Sequence, residues 1–264
     1  MNLELTGKVA LVTGGSKGIG QAIAHALAAE GAKVAITARG TEALKETALE
    51  MSAFNILAVS ADATDQNAVN TAIKRVIDVY GKLDILVNNV GGAGIFGGFA
   101  DLADLDWRNA FDLNVLSIVH FVRAAAPYLR ESKSGRIVNI SSIAGVQPGA
   151  FNPHYTVTKA ATINLSKFLA NYFAKDGVLV NVVCPGPVHS DSWDANVRRL
   201  ALERHISTDA ARQQVEREES SKIPLGRVGD GEDVAGLVAF LASDKASWIT
   251  GSCFHVNGGK LSAI

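Results

Sequence analysis

In "HYTVTKAA" (residues 154–161) a tyrosine and a lysine stand four positions apart in a run of small, helix-compatible residues. On a helix, residues i and i+4 share a face, so the phenol of Tyr155 and the amine of Lys159 could converge on one point. The chemistry open to such a pair is acid–base. A phenol with an ordinary pKa of about 10 holds its proton too tightly at neutral pH, and an ammonium one turn away favours the phenolate. The same spacing also suits an exposed Tyr beside a solvated Lys, so the rest of the chain has to decide.

A second stretch, "VTGGSKGIGQAIA" (12–24), places Gly14, Gly18 and Gly20 in the turn between an apolar run and a helix-period segment. Glycine allows a tight turn there and lets backbone N–H groups approach a pyrophosphate at a helix N-terminus. Any tight strand-to-helix turn uses glycine, so the turn counts through its position directly after the first strand. An acidic residue at the end of the second strand would serve a ribose 2′-hydroxyl. This chain has "AITARG" instead, with Ala38 and Arg39, and Lys17 lies inside the glycine turn. Two cations at that place favour a 2′-phosphate, hence NADP(H) over NAD(H), unless both are ordinary surface residues.

These residues need a scaffold, and the hydrophobic pattern supplies one. Short β-branched runs at 8–13, 33–37, 56–60, 83–89, 135–141, 178–183 and 252–257 are mostly continuous rather than alternating, as strands buried on both faces are. Helix-period segments at 18–30, 41–51, 66–80, 106–130, 154–175 and 231–242 lie between them. Alternating strands and helices predict an α/β fold with right-handed crossovers and a doubly wound parallel sheet. No linker or repeat interrupts residues 1–264, so one domain is expected. The exception is 187–224, which has no strand candidate and reads as two short, charged helices, with Ser207 or Thr208 as the second N-cap. It leaves the carboxyl end of a strand, where open α/β sheets bind ligands, so a lid over the substrate is the preferred reading.

Composition narrows the partners. The formal charge is −1 with 48% hydrophobic and 19% charged residues, which fits a packed globular chain and gives no footprint for nucleic acid. The two cysteines, Cys184 and Cys253, lack a CxxC neighbour, and the six histidines show no HxH or HExxH spacing. A disulfide framework and a metal site are therefore not expected. The N-terminus is not patterned as a signal peptide, and no stretch is long and apolar enough for a membrane span. A soluble cytoplasmic protein is the expectation.

The pieces "TGGSKGIG" (13–20), "NNVG" (88–91), "LNV" (113–115), "NISSIAG" (139–145), "YTVTK" (155–159), "PGPV" (185–188) and "TGSCFHVNGG" (250–259) occur in one order. Over essentially its whole length the chain resembles the short-chain dehydrogenase/reductase family. The resemblance implies a Rossmann-type sheet of about seven parallel strands with helices on both faces. It also implies hydride transfer between nicotinamide and a carbonyl or secondary alcohol, with a catalytic set of Asn114, Ser142, Tyr155 and Lys159. On that pattern Tyr155 is the acid/base, Lys159 lowers its pKa and holds the ribose, and Ser142 bonds the substrate oxygen. Asn114 holds a water that links Lys159 to solvent. Ser142 is preferred to Ser141 because it lies thirteen residues before Tyr155. Cofactor contacts are implied at Gly14, Ser16, Lys17, Gly18, Ile19, Gly20, Arg39, Asp62 (adenine), Ala63, Asn88 (bracing the turn beside the ribose), Gly91, Tyr155, Lys159, Pro185, Gly186 and Val188.

Substrate positions should come from the loop after the fourth strand, from 143–154 and from the lid: Phe96, Gln147, Asn152, His189 and Trp193. These make a mixed apolar pocket without a carboxylate clamp. It suits a 3-oxoacyl thioester, a cyclic ketone or a polyol, and many members of this length resemble 3-oxoacyl-(acyl carrier protein) reductases. A sugar or secondary-alcohol dehydrogenase is the alternative within the class, and a non-catalytic NADP(H) sensor or scaffold the alternative outside it. His154, adjacent to Tyr155, points about 100° away on a helix and is read as structural. The long helices 106–130 and 154–175 could form the interfaces of a homo-oligomer, a dimer or the family's common tetramer.

Overall fold

The computed structural model describes residues 3–262. Seven apolar runs form strands β1 (Val9–Thr13), β2 (Lys33–Ala38), β3 (Leu57–Ser60), β4 (Ile85–Asn88), β5 (Arg136–Ile140), β6 (Leu179–Pro185) and β7 (Cys253–Val256). They pair in the order β3-β2-β1-β4-β5-β6-β7, all parallel. The chain order reverses between β1 and β4, so a crevice opens at the carboxyl ends of these strands.

Strand alternation divides the core into two layers. Ala10 and Val12 of β1 face one side, against Ile23 and Leu27 of α1 (Gly18–Ala29) and Val234 and Val238 of α9 (Gly231–Ala242). Val9 and Leu11 face the other. There they meet α3 (Gln66–Tyr80), α5 (Ser117–Glu131) and α6 (Pro153–Phe173) through Ile73, Phe121, Leu129 and Phe173. Burying each large side chain contributes about 1.5–3 kcal/mol, so each layer helps to hold its helices against the sheet. Helix α2 (Thr41–Glu50) packs over β2 and the edge strand β3.

The expected single helix over 106–130 is broken. Helix α4 (Asp104–Phe111) passes into a π turn at Asp112–Leu116 before α5 resumes. The cause lies in Asn114, whose Nδ2 donates to Ala110 O at 2.8 Å and so competes for the acceptor that a regular helix would use at this point. Such turns shift the residues after them and often mark functional positions.

Residues 187–224 carry two helices, α7 (Asp191–Glu203) and α8 (Thr208–Ser220). Helix α7 starts at Asp191, because Ser190 Oγ accepts from Trp193 N and caps it. Ser207 caps α8 through Ala210 N. Trp193, Val197, Ala201, Ala211, Val215, Ile223 and Val228 form a small core of their own, separate from the sheet. Among the described residues, no helix is long and apolar enough to cross a membrane.

Candidate active site

A cleft of about 770 Å³ runs along the carboxyl ends of β1, β2, β4, β5 and β6. Gly14, Ser16, Lys17, Gly18, Ile19, Gly20, Arg39, Asp62 and Ala63 line one end. Gly91, Phe96, Ser142, Asn152, Tyr155, Lys159, Pro185, Gly186, Val188 and Trp193 line the other. The volume suits a sizeable organic ligand.

The first end has the features of a phosphate cradle. Gly14 adopts φ 63, a left-handed turn that a side chain would strain. A β-carbon at Gly20 would collide with the Gly14 carbonyl and the Asn89 side chain. Helix α1 begins without a side-chain cap, and its first turn lines the cleft, so its unpartnered N–H groups are available to an anion. Asp62 accepts from Thr64 N and Oγ1, which hold its carboxyl below the usual range, with Arg39 adding to the effect. Arg39 is exposed on the cleft wall. These residues fit a phosphorylated dinucleotide.

The second end gathers the acid–base groups. Tyr155 and Lys159 lie one turn apart on α6, with Lys159 Nζ 5.6 Å from the centre of the Tyr155 ring. Lys159 is buried, donates to Ile140 O at 3.0 Å, and is brought down to about 8 by that burial. Burial pushes the Tyr155 phenol up from its ordinary value, and a hydrogen bond with Ser142 pulls against it. The expected lowering by Lys159 is therefore not what governs Tyr155 in this structure. The neighbouring serines separate cleanly. Ser141 Oγ donates to Lys159 O at 2.7 Å in the interior, whereas Ser142 Oγ accepts from Ala144 N and meets Tyr155.

The Asn114 side chain bonds to the loop after β4. Its Oδ1 accepts from Gly92 N and its Nδ2 donates to Gly92 O, both at 2.9 Å, so the side chain pins the loop after β4. A β-carbon at Gly91 would sit 2.7 Å from Asn114 Oδ1 and 2.8 Å from Lys159 Nζ, which shows how closely that loop passes over the pair.

Four other expectations are corrected. Asn88 does not brace the glycine turn. Its strand position directs it into the interior, where Nδ2 donates to Asn139 Oδ1 at 2.8 Å. The bracing residue is Asn89, whose Nδ2 donates to Thr13 O and Gly14 O. Period-2 alternation between the paired asparagines is the signal that could have found it. Lys17 is not an open cation, since it pairs with Asp191 at the start of α7. His189 does not face the substrate end. Its Nδ1 meets Asp230 at 2.7 Å and its Nε2 meets Glu216 at 3.0 Å, so it ties α8 to the start of α9. Gln147 lies off the cleft and accepts from Ser262 N.

Asn152 lines the cleft at φ 57, and its Oδ1 accepts from Gly97 N, joining the loop after β4 to the start of α6. Phe96 lies under the Arg199 guanidinium, 5.5 Å from ring centre to carbon. His154 is buried, with Nε2 2.8 Å from Ala93 O, and it supports the same loop from behind.

A glycine cradle at one end of the crevice and a Ser-Tyr-Lys cluster at the other define a nucleotide-dependent oxidoreductase of the doubly wound class. A family model described as enoyl-(acyl carrier protein) reductase matches residues 14–260. The chain belongs to the short-chain dehydrogenase/reductase family. A 3-oxoacyl-[acyl-carrier-protein] reductase of Staphylococcus aureus is 37% identical over 257 residues, covering 96% of this chain and 97% of that protein. The corresponding reductase of Salmonella typhimurium is 35% identical over 259 residues, covering 97% and 98%. Among solved structures, L-sorbose reductase from Gluconobacter frateurii, complexed with NADPH and L-sorbose, superposes with a TM-score of 0.92 at 34% identity, covering 100% of both chains.

Proposed function

We propose that the protein is an NADP(H)-dependent reductase of a small polyhydroxylated ketone. The observation that carries the reaction class is the convergence of Ser142, Tyr155 and Lys159 at one end of a cleft whose other end carries the glycine cradle and Arg39. The glycine cradle and Arg39 would hold the cofactor, which would supply a hydride for the carbonyl carbon. Ser142 Oγ holds the carbonyl oxygen and stabilises the negative charge that grows on it. Tyr155 gives its phenolic proton to that oxygen, which completes the alcohol. The Lys159 ammonium then favours the phenolate left behind, and Asn114 keeps the covering loop in place above both. Arg39 is the residue placed for a 2′-phosphate, and Lys17 joins it once released from Asp191.

Two features support a hydroxylated ketone. The substrate end mixes Phe96 and Trp193 with Asn152, Ser192 and Asn196. Across 191–220 seven carboxylates outnumber five arginines, and Arg199, Arg204 and Arg212 are paired with Glu203, Glu218 and Asp194, so this region offers no net positive charge to an acidic carrier protein. A 3-oxoacyl thioester is the second reading, favoured by the 37% identity to a reductase of that kind. Exposed Val157, Phe168 and Tyr172 along α6 support a homo-oligomeric assembly.

Initial rates of NADPH consumption with ketoses and with a 3-oxoacyl thioester of a small thiol test the choice. Higher kcat/KM on a ketose supports the first reading, and higher kcat/KM on the thioester replaces it with the second.

A further inference from the structure

Outside the cleft, three side chains that neither the hydride chemistry nor the cofactor cradle uses come together at the β6–β7 edge. The register sets Val182 beside Cys253 and Cys184 beside His255. Residues 184, 253 and 255 share one face by alternation, because Val183, Phe254 and Val256 pack into the opposite layer. Cys184 is buried under that face, while Cys253 and His255 are exposed.

The distances are those of a chelate. Cys184 Sγ and Cys253 Sγ lie 3.4 Å apart, Cys253 Sγ and His255 Nε2 lie 3.6 Å apart, and all three donor atoms fall within 4.8 Å of one another. Zinc–sulfur bonds of about 2.3 Å and zinc–nitrogen bonds of about 2.0–2.1 Å put tetrahedral edges at about 3.8 Å for S–S and 3.6 Å for S–N. A small opening of the sulfur pair accommodates the ion. A disulfide would instead require the sulfurs to close to about 2.0 Å, a much larger move.

We infer that Cys184, Cys253 and His255 form a three-ligand site for a thiophilic divalent cation such as Zn²⁺, with the fourth corner open to water on the exposed side. The donors suit it chemically, since thiolate and imidazole are the soft and borderline ligands that zinc selects. The Cys184 and Cys253 sulfurs already lie in hydrogen-bond contact, with His255 Nε2 against Cys253, so the donors are gathered before an ion arrives. Thiols ligate as thiolates, so loading the ion releases their protons to solvent. Behind the site, Ser141 contacts Cys184 and donates to Lys159 O, so the ion would sit one side chain away from the acid–base helix.

The test uses full-length protein, freed of metal by a chelator and kept reduced. Cobalt(II) is titrated first for its thiolate charge-transfer and tetrahedral visible bands, and zinc is then measured by displacing it. One cobalt per chain with thiolate bands, displaced by zinc, is the expected result. In Cys253→Ser and His255→Ala, both exposed positions whose folding is checked by NADPH binding, zinc affinity should fall by more than the roughly 100-fold that loss of an outer-shell partner costs. Absence of thiolate bands, or zinc affinity unchanged in both variants, overturns the site. So does finding Cys184 and Cys253 joined as a disulfide in the reduced, metal-treated protein.

Discussion

Lys17 in the glycine turn and Asp191 at the head of α7 form an ion pair that ties the cofactor end of the cleft to the lid. Both side chains are more than half exposed, at 61% and 55%, so the pair contributes under about 1 kcal/mol. It is weak enough for a bound phosphate to compete with it.

Asp191→Asn should therefore release Lys17 without unfolding the lid. NADPH binding should tighten by about two- to five-fold, the equivalent of a surface pair, while NADH changes less. Fluorescence titration with both cofactors reads the difference.

Arg39→Ala should act in the opposite direction. A charge-assisted contact contributes about 1.5–3 kcal/mol, so the NADPH dissociation constant should rise by about 10- to 100-fold, with NADH binding nearly unchanged. An equal loss for both cofactors would remove Arg39 from 2′-phosphate recognition.

The buried ammonium of Lys159 destabilises the cofactor-free fold. Its pKa falls from 10.5 to about 8, so below pH 8 both folded and unfolded chains carry the proton and the full cost is present. Above pH 8 the folded chain loses it first, and the cost is relieved as pH approaches 10.5. Lys159→Met should raise the stability of the cofactor-free protein at pH 7 by about 1–3 kcal/mol while abolishing turnover. Denaturant melts should show that gain shrinking toward pH 10.

His189 should make the lid pH-sensitive. Its partial burial lowers its pKa, but Glu216 and Asp230 together outweigh that and raise it overall. With the folded value raised, its stabilisation is complete below the unfolded pKa of about 6.5 and is lost as pH rises through the folded value. Limited proteolysis within 191–220 should quicken as pH rises above about 6.5 in the wild type. The rate should be fast and less pH-dependent in His189→Ala.

The order of strands and helices was legible because each strand is a continuous apolar run and each helix carries its own period, both local properties. The Tyr155–Lys159 pair was legible for the same reason, since one helix carries both. What escaped the sequence depends on long-range register or on partners far along the chain. Asn88 and Asn89 are alike in type, and only the exit of β4 decides which reaches the glycine turn. His189 reads as a pocket residue until Glu216 and Asp230 arrive from two other segments. The π turn follows from an Asn114 side chain that donates to Ala110 O while holding distant Gly92. Cys184, Cys253 and His255 become neighbours only when β7 docks on β6.

The most direct test of the central claim is the rate of NADPH consumption on the best ketone for wild type and Tyr155→Phe, with NADPH affinity measured in parallel. Removing the proton donor should reduce kcat by about 10²–10⁴-fold and leave the NADPH dissociation constant within about two-fold. Turnover that survives in Tyr155→Phe with cofactor binding intact would contradict the assignment of Tyr155 as the acid.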